Sequence, residues 1–151
     1  MALPKSKVLL LSLLGTCGAS SVSASVTSTQ VQSSLEANAF SVYPGYTGDL
    51  AVSGNVQVGE GGIGTQVLSF HVEGADPQCN GSADIAGVAN ACGIHVHAGL
   101  SCDDAGDHYY NSSSMTEDPW KPVRYTVDGN GSASGQNVHV VTGWSLADVD
   151  G

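Results

Sequence analysis

The sequence predicts an all-β fold, a small antiparallel Greek-key β-sandwich or flattened barrel. Three observations carry that expectation. Apolar and polar residues alternate in short runs, at Leu50, Val52, Val56 and Val58, then at Leu68, Phe70 and Val72, and again at Val123, Tyr125 and Val127 and at Val138 and Val140. Most of the 20 glycines fall between these runs, where turns need them. Beyond residue 24 no segment has a helical period.

Taken in order, residues 1–24 come first, with Lys5 and Lys7 ahead of an apolar run from Val8 to Leu14 and small residues at Val22 and Ala24. That pattern reads as a secretory signal peptide cleaved after Ala24, and neither it nor any later run is long enough to span a bilayer. Residues 25–39 begin rich in Ser, Thr and Gln and read as a flexible lead-in. Residues 40–151 form one domain. Its first two strands are joined by the turn GEGGIG, and DGNGSASG separates the last two. Two connections exceed plain turns: GADPQCNGSADIAGVANAC, and the stretch from Ala98 to Pro122. Long loops on a β scaffold are where function concentrates.

Removal of the leader leaves Lys121 and Arg124 as the cations against 14 acidic residues. A chain so acidic does not bind nucleic acid or an anionic membrane through charge. The sequons at Asn80, Asn111 and Asn130 fit a glycosylated secreted protein. Of the four cysteines, Cys79 and Cys92 flank one loop and are expected to pair on export; Cys102 is then left over.

The chemistry-bearing stretch is CGIHVHAGLSC. In an extended chain His95 and His97 point to one face and Ile94 and Val96 to the other, so one face packs while the other can hold a ligand. Imidazole is a common ligand for copper and zinc, and two on one strand supply half of a tetragonal site. A third histidine, His108, follows Cys102 within the long loop.

Gly93-Ile94-His95-Val96-His97 and Ala105-Gly106-Asp107-His108-Tyr109-Tyr110-Asn111 resemble, in order, the two histidine motifs of the copper/zinc superoxide dismutases. The likeness spans roughly residues 48–151. It implies the dismutase-type sandwich without its last strand, copper at His95, His97 and His108, and superoxide as substrate, converted to oxygen and hydrogen peroxide. His108 takes the place of the histidine that bridges copper and zinc.

The zinc half departs from the family. Asp128 matches its aspartate, but Tyr125 and Thr116 stand where two zinc histidines would be. Two ligands do not make a closed zinc site, although Glu117 or Asp118 could add to them, and the pattern is similar to the copper-only secreted branch. The family's fourth copper histidine, its second half-cystine and its guiding arginine have no counterpart before Gly151, and the resemblance pairs Cys102 with that absent half-cystine. Two rivals stand beside the enzyme: a non-enzymatic extracellular metal-binding module, and an adhesion sandwich without metal. His71 and His139 read as solvent-facing strand residues, Asp103, Asp104 and Asp107 as a solvated acidic loop, and Trp120 as a loop anchor. Oligomeric state is not legible.

Overall fold

A computed structural model of the chain describes residues 10–13, 16–27, 30–42, 44, 46–81, 85, 88, 90–99 and 101–146, with side chains from Ser34 onward. The protein is all-β. Its strands are β1 (Leu10–Leu13), β2 (Thr16–Thr27), β3 (Gln30–Val42), β4 (Ser53–Gly62), β5 (Thr65–Glu73), β6 (Val96–His97) and β7 (Ala133–Val141). They form one open sheet in the order β6-β1-β2-β3-β4-β5-β7, and every neighbouring pair is antiparallel.

The β4–β5 hairpin shows why alternation makes this sheet. Val56 faces Phe70 and Val58 faces Leu68 across the register, so one face of both strands is apolar. Val56, Val58, Leu68 and Val72 are fully buried, and a side chain of this size contributes about 1.5–3 kcal/mol on burial. The hairpin turns through Gly62 and Gly64, whose positive φ angles of 123° and 67° a side chain would strain. β7 continues the face through Val138 and Val140, opposite Leu68 and Gln66.

Against this face lies a second layer made of short extended segments between residues 91 and 127. Ile94 donates to the Val123 carbonyl, Tyr125 donates to that of Cys92, and Gly93 bridges Arg124. Ile94, Val96, Tyr109, Trp120, Val123, Tyr125 and Val127 all bury into the common core. The expected strand over residues 123–127 is therefore an extended segment with an isolated bridge, because its partner around Gly93 offers too few consecutive backbone groups to form a ladder. Trp120, with no exposed surface, anchors the long loop by donating its indole N–H to the Tyr109 carbonyl at 2.8 Å.

Two expectations change. Of the expected lead-in, residues 25–27 end β2 and residues 30–39 belong to β3, where Leu35 and Ala37 are buried opposite Val58 and Val56. Their alternation is short and one partner is only alanine, which makes the strand hard to see before its neighbour is known. Cys79 and Cys92 are disulfide-bonded as expected. Cys102 is disulfide-bonded as well, so its partner need not lie beyond residue 151. Of the leader, the backbone of residues 10–13 and 16–24 is seen in β1 and β2, while 1–9, 14 and 15 lie outside the described residues. No helix among the described residues is long and apolar enough to cross a membrane.

Candidate metal centre

The histidine strand is entered through a tight turn held at Asn90 and Cys92, both with left-handed backbone (φ 57° and 60°). Non-glycine residues there cost energy and persist where the surroundings fix them. The Cys79–Cys92 disulfide and the Gly93 N–H to Asn90 carbonyl bond supply that fixing. From this turn the pleat sends Ile94 and Val96 into the core, both fully buried. His95 and His97 take the opposite side. His95 is itself only 2% exposed, because the loop carrying His108 folds back over it.

That return is a backbone device. His97 and His108 form an antiparallel bridge, flanked by Tyr109 N–H to Val96 carbonyl at 2.8 Å and Ala98 N–H to Asp107 carbonyl at 2.9 Å. The three rings consequently converge: centroids lie 4.3 Å apart for His95 and His108, 4.8 Å for His97 and His108, and 6.3 Å for His95 and His97. One ligand nitrogen from each falls within 4.8 Å of the others, so the group can hold a metal ion. Ligands bound at about 2.0–2.1 Å stand at most about 4.2 Å apart, so binding needs a closure of only some tenths of an ångström.

Two hydrogen bonds set which nitrogens face inward. His108 donates Nδ1–H to Asp118 Oδ2 at 2.6 Å, and His97 donates Nδ1–H to the Gly106 carbonyl at 3.1 Å. Both rings then present Nε2 as a lone pair. Asp118 is held in turn, its Oδ1 accepting the Trp120 N–H at 2.9 Å. The Nε2 atoms of His95 and His97 are buried and have no hydrogen-bond partner. An unsatisfied buried group costs about 1–3 kcal/mol, and here two converge on one point. Burial pushes the His95 pKa down to about 3, helped by the neighbouring His108 and His97. Burial lowers that of His97 too, with the Gly106 carbonyl opposing. Neutral imidazole is the form that binds a metal.

His97 and His108 open onto a cleft of about 460 Å³, with Asp107 and Asp118 in its wall. His95 lies beneath. Gly93 makes room for it: a Cβ there would stand 2.1 Å from His95 Cε1 and 2.5 Å from its Nε2.

The other candidates lie elsewhere. Asp128 is exposed and outside the three-histidine group, its Oδ1 accepting the backbone N–H of Ser132 and Asn130, which hold its pKa below the usual carboxylate range. Tyr125 is buried, its hydroxyl 3.4 Å from Cys79 Sγ, and its pKa is pushed up to about 12 by burial and by Asp76. Thr116 and Glu117 are exposed. Asp118 reaches the site, as a partner of a histidine. His71 and His139 are exposed, as are Asp103 and Asp104; His71 Nδ1 lies 2.7 Å from Ser134 Oγ. Asn80 and Asn130 are exposed and Asn111 is half-buried. The acceptor role of Asp118 and the space at Gly93 escaped sequence reasoning; the only signal was an acidic pair ten residues after a histidine, next to Pro119-Trp120.

Comparison with protein-family models, with curated proteins and with solved structures gives no match for this chain.

Proposed function

We propose that this is a secreted, copper-binding protein of superoxide dismutase type, built on that Greek-key sandwich. The observation that carries the reading is the convergence of three imidazoles in which the buried Nε2 atoms of His95 and His97 lack any partner. The sequence motifs around Gly93–His97 and Ala105–Asn111 supply the family. Imidazole suits copper as it does zinc, the family motifs point to copper, and carboxylates near an open position suit the mixed ligation that Cu(II) accepts.

His95, His97 and His108 would hold the ion. Bound copper supplies a one-electron redox couple, the chemistry by which superoxide becomes oxygen and hydrogen peroxide. The chain's own residues do the rest. Asp118 and the Gly106 carbonyl fix two ring orientations, Gly93 lets His95 approach, and the core beneath Ile94 and Val96 keeps the strand rigid. The Cys79–Cys92 disulfide fits an oxidising compartment. A second ligand set, like the zinc half of the family's site, is not assembled among the described residues, where Asp128 is engaged by its own turn.

The test is copper stoichiometry and superoxide consumption on the purified chain, with His95→Ala and His108→Ala alongside. Stoichiometric Cu(II) in an imidazole environment, lost in both variants together with turnover, supports the reading. Activity surviving both substitutions overturns it. A second reading, a copper-holding module without turnover, is favoured by the carboxylates at the mouth, which repel an anionic substrate. Copper uptake with no superoxide consumption selects it.

A further inference from the structure

We propose that the Cys79–Cys92 disulfide is a thiol-exchange site that gates the metal centre: a small thiol attacks Cys92, the turn ahead of the histidine strand relaxes, and His95 leaves the ligand set. The inference rests on the copper reading above and adds how the bound ion is released.

The disulfide and the centre share a stretch of backbone. Cys92 lies in the left-handed region at φ 60°, as Asn90 does at φ 57°. An L-residue stays there only while its surroundings hold it, and the bond to Cys79 is the constraint that acts on Cys92 itself. Gly93 comes next, so close to the His95 ring that an added Cβ would stand 2.1 Å from Cε1. Relaxation of Cys92 therefore moves the backbone on which His95 rests. Both half-cystines also hold one extended segment: Val127 N–H donates to the Cys79 carbonyl at 2.8 Å and Tyr125 N–H to that of Cys92 at 2.9 Å. Opening the bridge lets these two anchors move independently. Metal–ligand distances tolerate about 0.2 Å, so a small displacement of His95 is enough to release the ion.

The two sulfurs are not equivalent. Cys92 is 8% exposed and stands two residues from the exposed Asn90, whereas Cys79 is 1% exposed, so an incoming thiol reaches Cys92 first. The Tyr125 hydroxyl lies 3.4 Å from Cys79 Sγ and is the donor, because a disulfide sulfur carries no proton. That hydrogen bond favours Cys79 as the leaving thiolate, and exchange is faster the more stable the leaving thiolate. A thiolate thus bonds to Cys92 Sγ, the Sγ–Sγ bond breaks, and its electron pair goes to Cys79. A second thiol attacks the small-molecule sulfur of the mixed disulfide and frees Cys92. The products are one small-molecule disulfide and two protein thiols, whose protons come from the two thiols consumed. Binding and reduction are linked: if opening the bridge weakens metal binding, bound metal makes the bridge harder to open by the same factor. An oxidising compartment then retains the ion, and a thiol-rich one releases it.

The experiment uses the full chain. Cu(II) affinity is compared between the parent and Cys79→Ser with Cys92→Ser, neither of which has a thiol at these positions, and the variant should bind about tenfold more weakly or worse. Reduced glutathione is then added to the parent with and without saturating Zn(II), a redox-inert ion that imidazole also binds. Samples are quenched in acid, alkylated and mapped by mass spectrometry. Zinc should slow the opening of Cys79–Cys92 about tenfold, the reciprocal of the affinity change. His95→Ala, with the same zinc and thiol in solution, should lose that protection, and the mixed disulfide should sit on Cys92. Equal Cu(II) affinity in a folded double variant, opening unaffected by zinc, protection that survives His95→Ala, or glutathione on Cys79 alone overturns the inference and leaves the copper reading standing. Where the double variant does not fold, the zinc arm decides. A parent that takes up no Cu(II) overturns the copper reading, and the zinc arm still decides whether the bridge and the histidines are coupled.

Discussion

Gly93→Ala tests the centre at its narrowest point. The added Cβ would sit 2.1 Å from His95 Cε1, 2.5 Å from its Nε2 and 2.8 Å from the Asn90 carbonyl oxygen. Carbon atoms in contact stand about 3.5–4.0 Å apart, so the ring must retreat by about 1.5 Å or more. Metal–ligand distances tolerate about 0.2 Å, so a shift of that size takes His95 out of the ligand set. Loss of second-sphere support alone costs about 10- to 100-fold in metal affinity, which sets the least effect expected of the substitution. Overpacking should lower the stability of the metal-free protein by about 1–3 kcal/mol, partly offset by the stiffer unfolded chain. Copper titration and denaturant melts on Gly93→Ala measure both. Gly129→Ala, where a Cβ meets nothing within 4 Å, is the control and should change neither. A Gly93→Ala protein that binds copper as tightly as its parent would show that His95 is not a ligand.

Acid should destabilise the metal-free protein. The folded pKa of His95, about 3, lies below its unfolded value of 6.5, so the unfolded chain takes up the proton first: stability is full above pH 6.5 and falls progressively toward pH 3, with His97 adding in the same direction. At about 1.4 kcal/mol per pKa unit the loss reaches a few kcal/mol, and urea midpoints that stay flat from pH 7 to pH 4 would contradict it. Asp118→Asn should weaken copper binding about tenfold through loss of the charged acceptor at His108 while the Trp120 N–H keeps a partner; unchanged affinity by dialysis would remove Asp118 from the site. Cys79→Ser with Cys92→Ser opens a loop of sequence separation 13 and should lower stability by about 3 kcal/mol in guanidinium melts, whereas a change under about 1 kcal/mol would mean the turn at Asn90 holds without it.

The features that sequence exposed are those with local causes. Alternation at Val56–Val58 and Leu68–Val72 reports a half-buried pleat, and β4 and β5 are there. The pleat around Ile94 and Val96 likewise placed His95 and His97 together on one side. The meeting of His108 with them was reachable only through resemblance, because it depends on a loop folding back through two backbone bonds. Whatever depends on a distant partner stayed hidden. The run at Val123–Val127 alternates like a strand but pairs only through a bridge to Gly93. Leu35 looked like part of a tail until Val58 stood opposite it. Tyr125, aligned by count with a metal ligand, turns toward Cys79, where its ring is buried and its hydroxyl meets sulfur.

β1 stands between β6 and β2 in the sheet, pairing Leu10 with His97 and Leu11 with Val96. A cut after Ala24 would therefore do more than trim the chain. It would remove β1 and most of β2 from within the strand order, parting the histidine strand from β3 and baring a hydrogen-bonding edge on each. Bare edges recruit strands from other molecules. A chain shortened at that point should gather into oligomers under conditions in which the uncut chain stays dispersed, a difference that light scattering of the two would read directly.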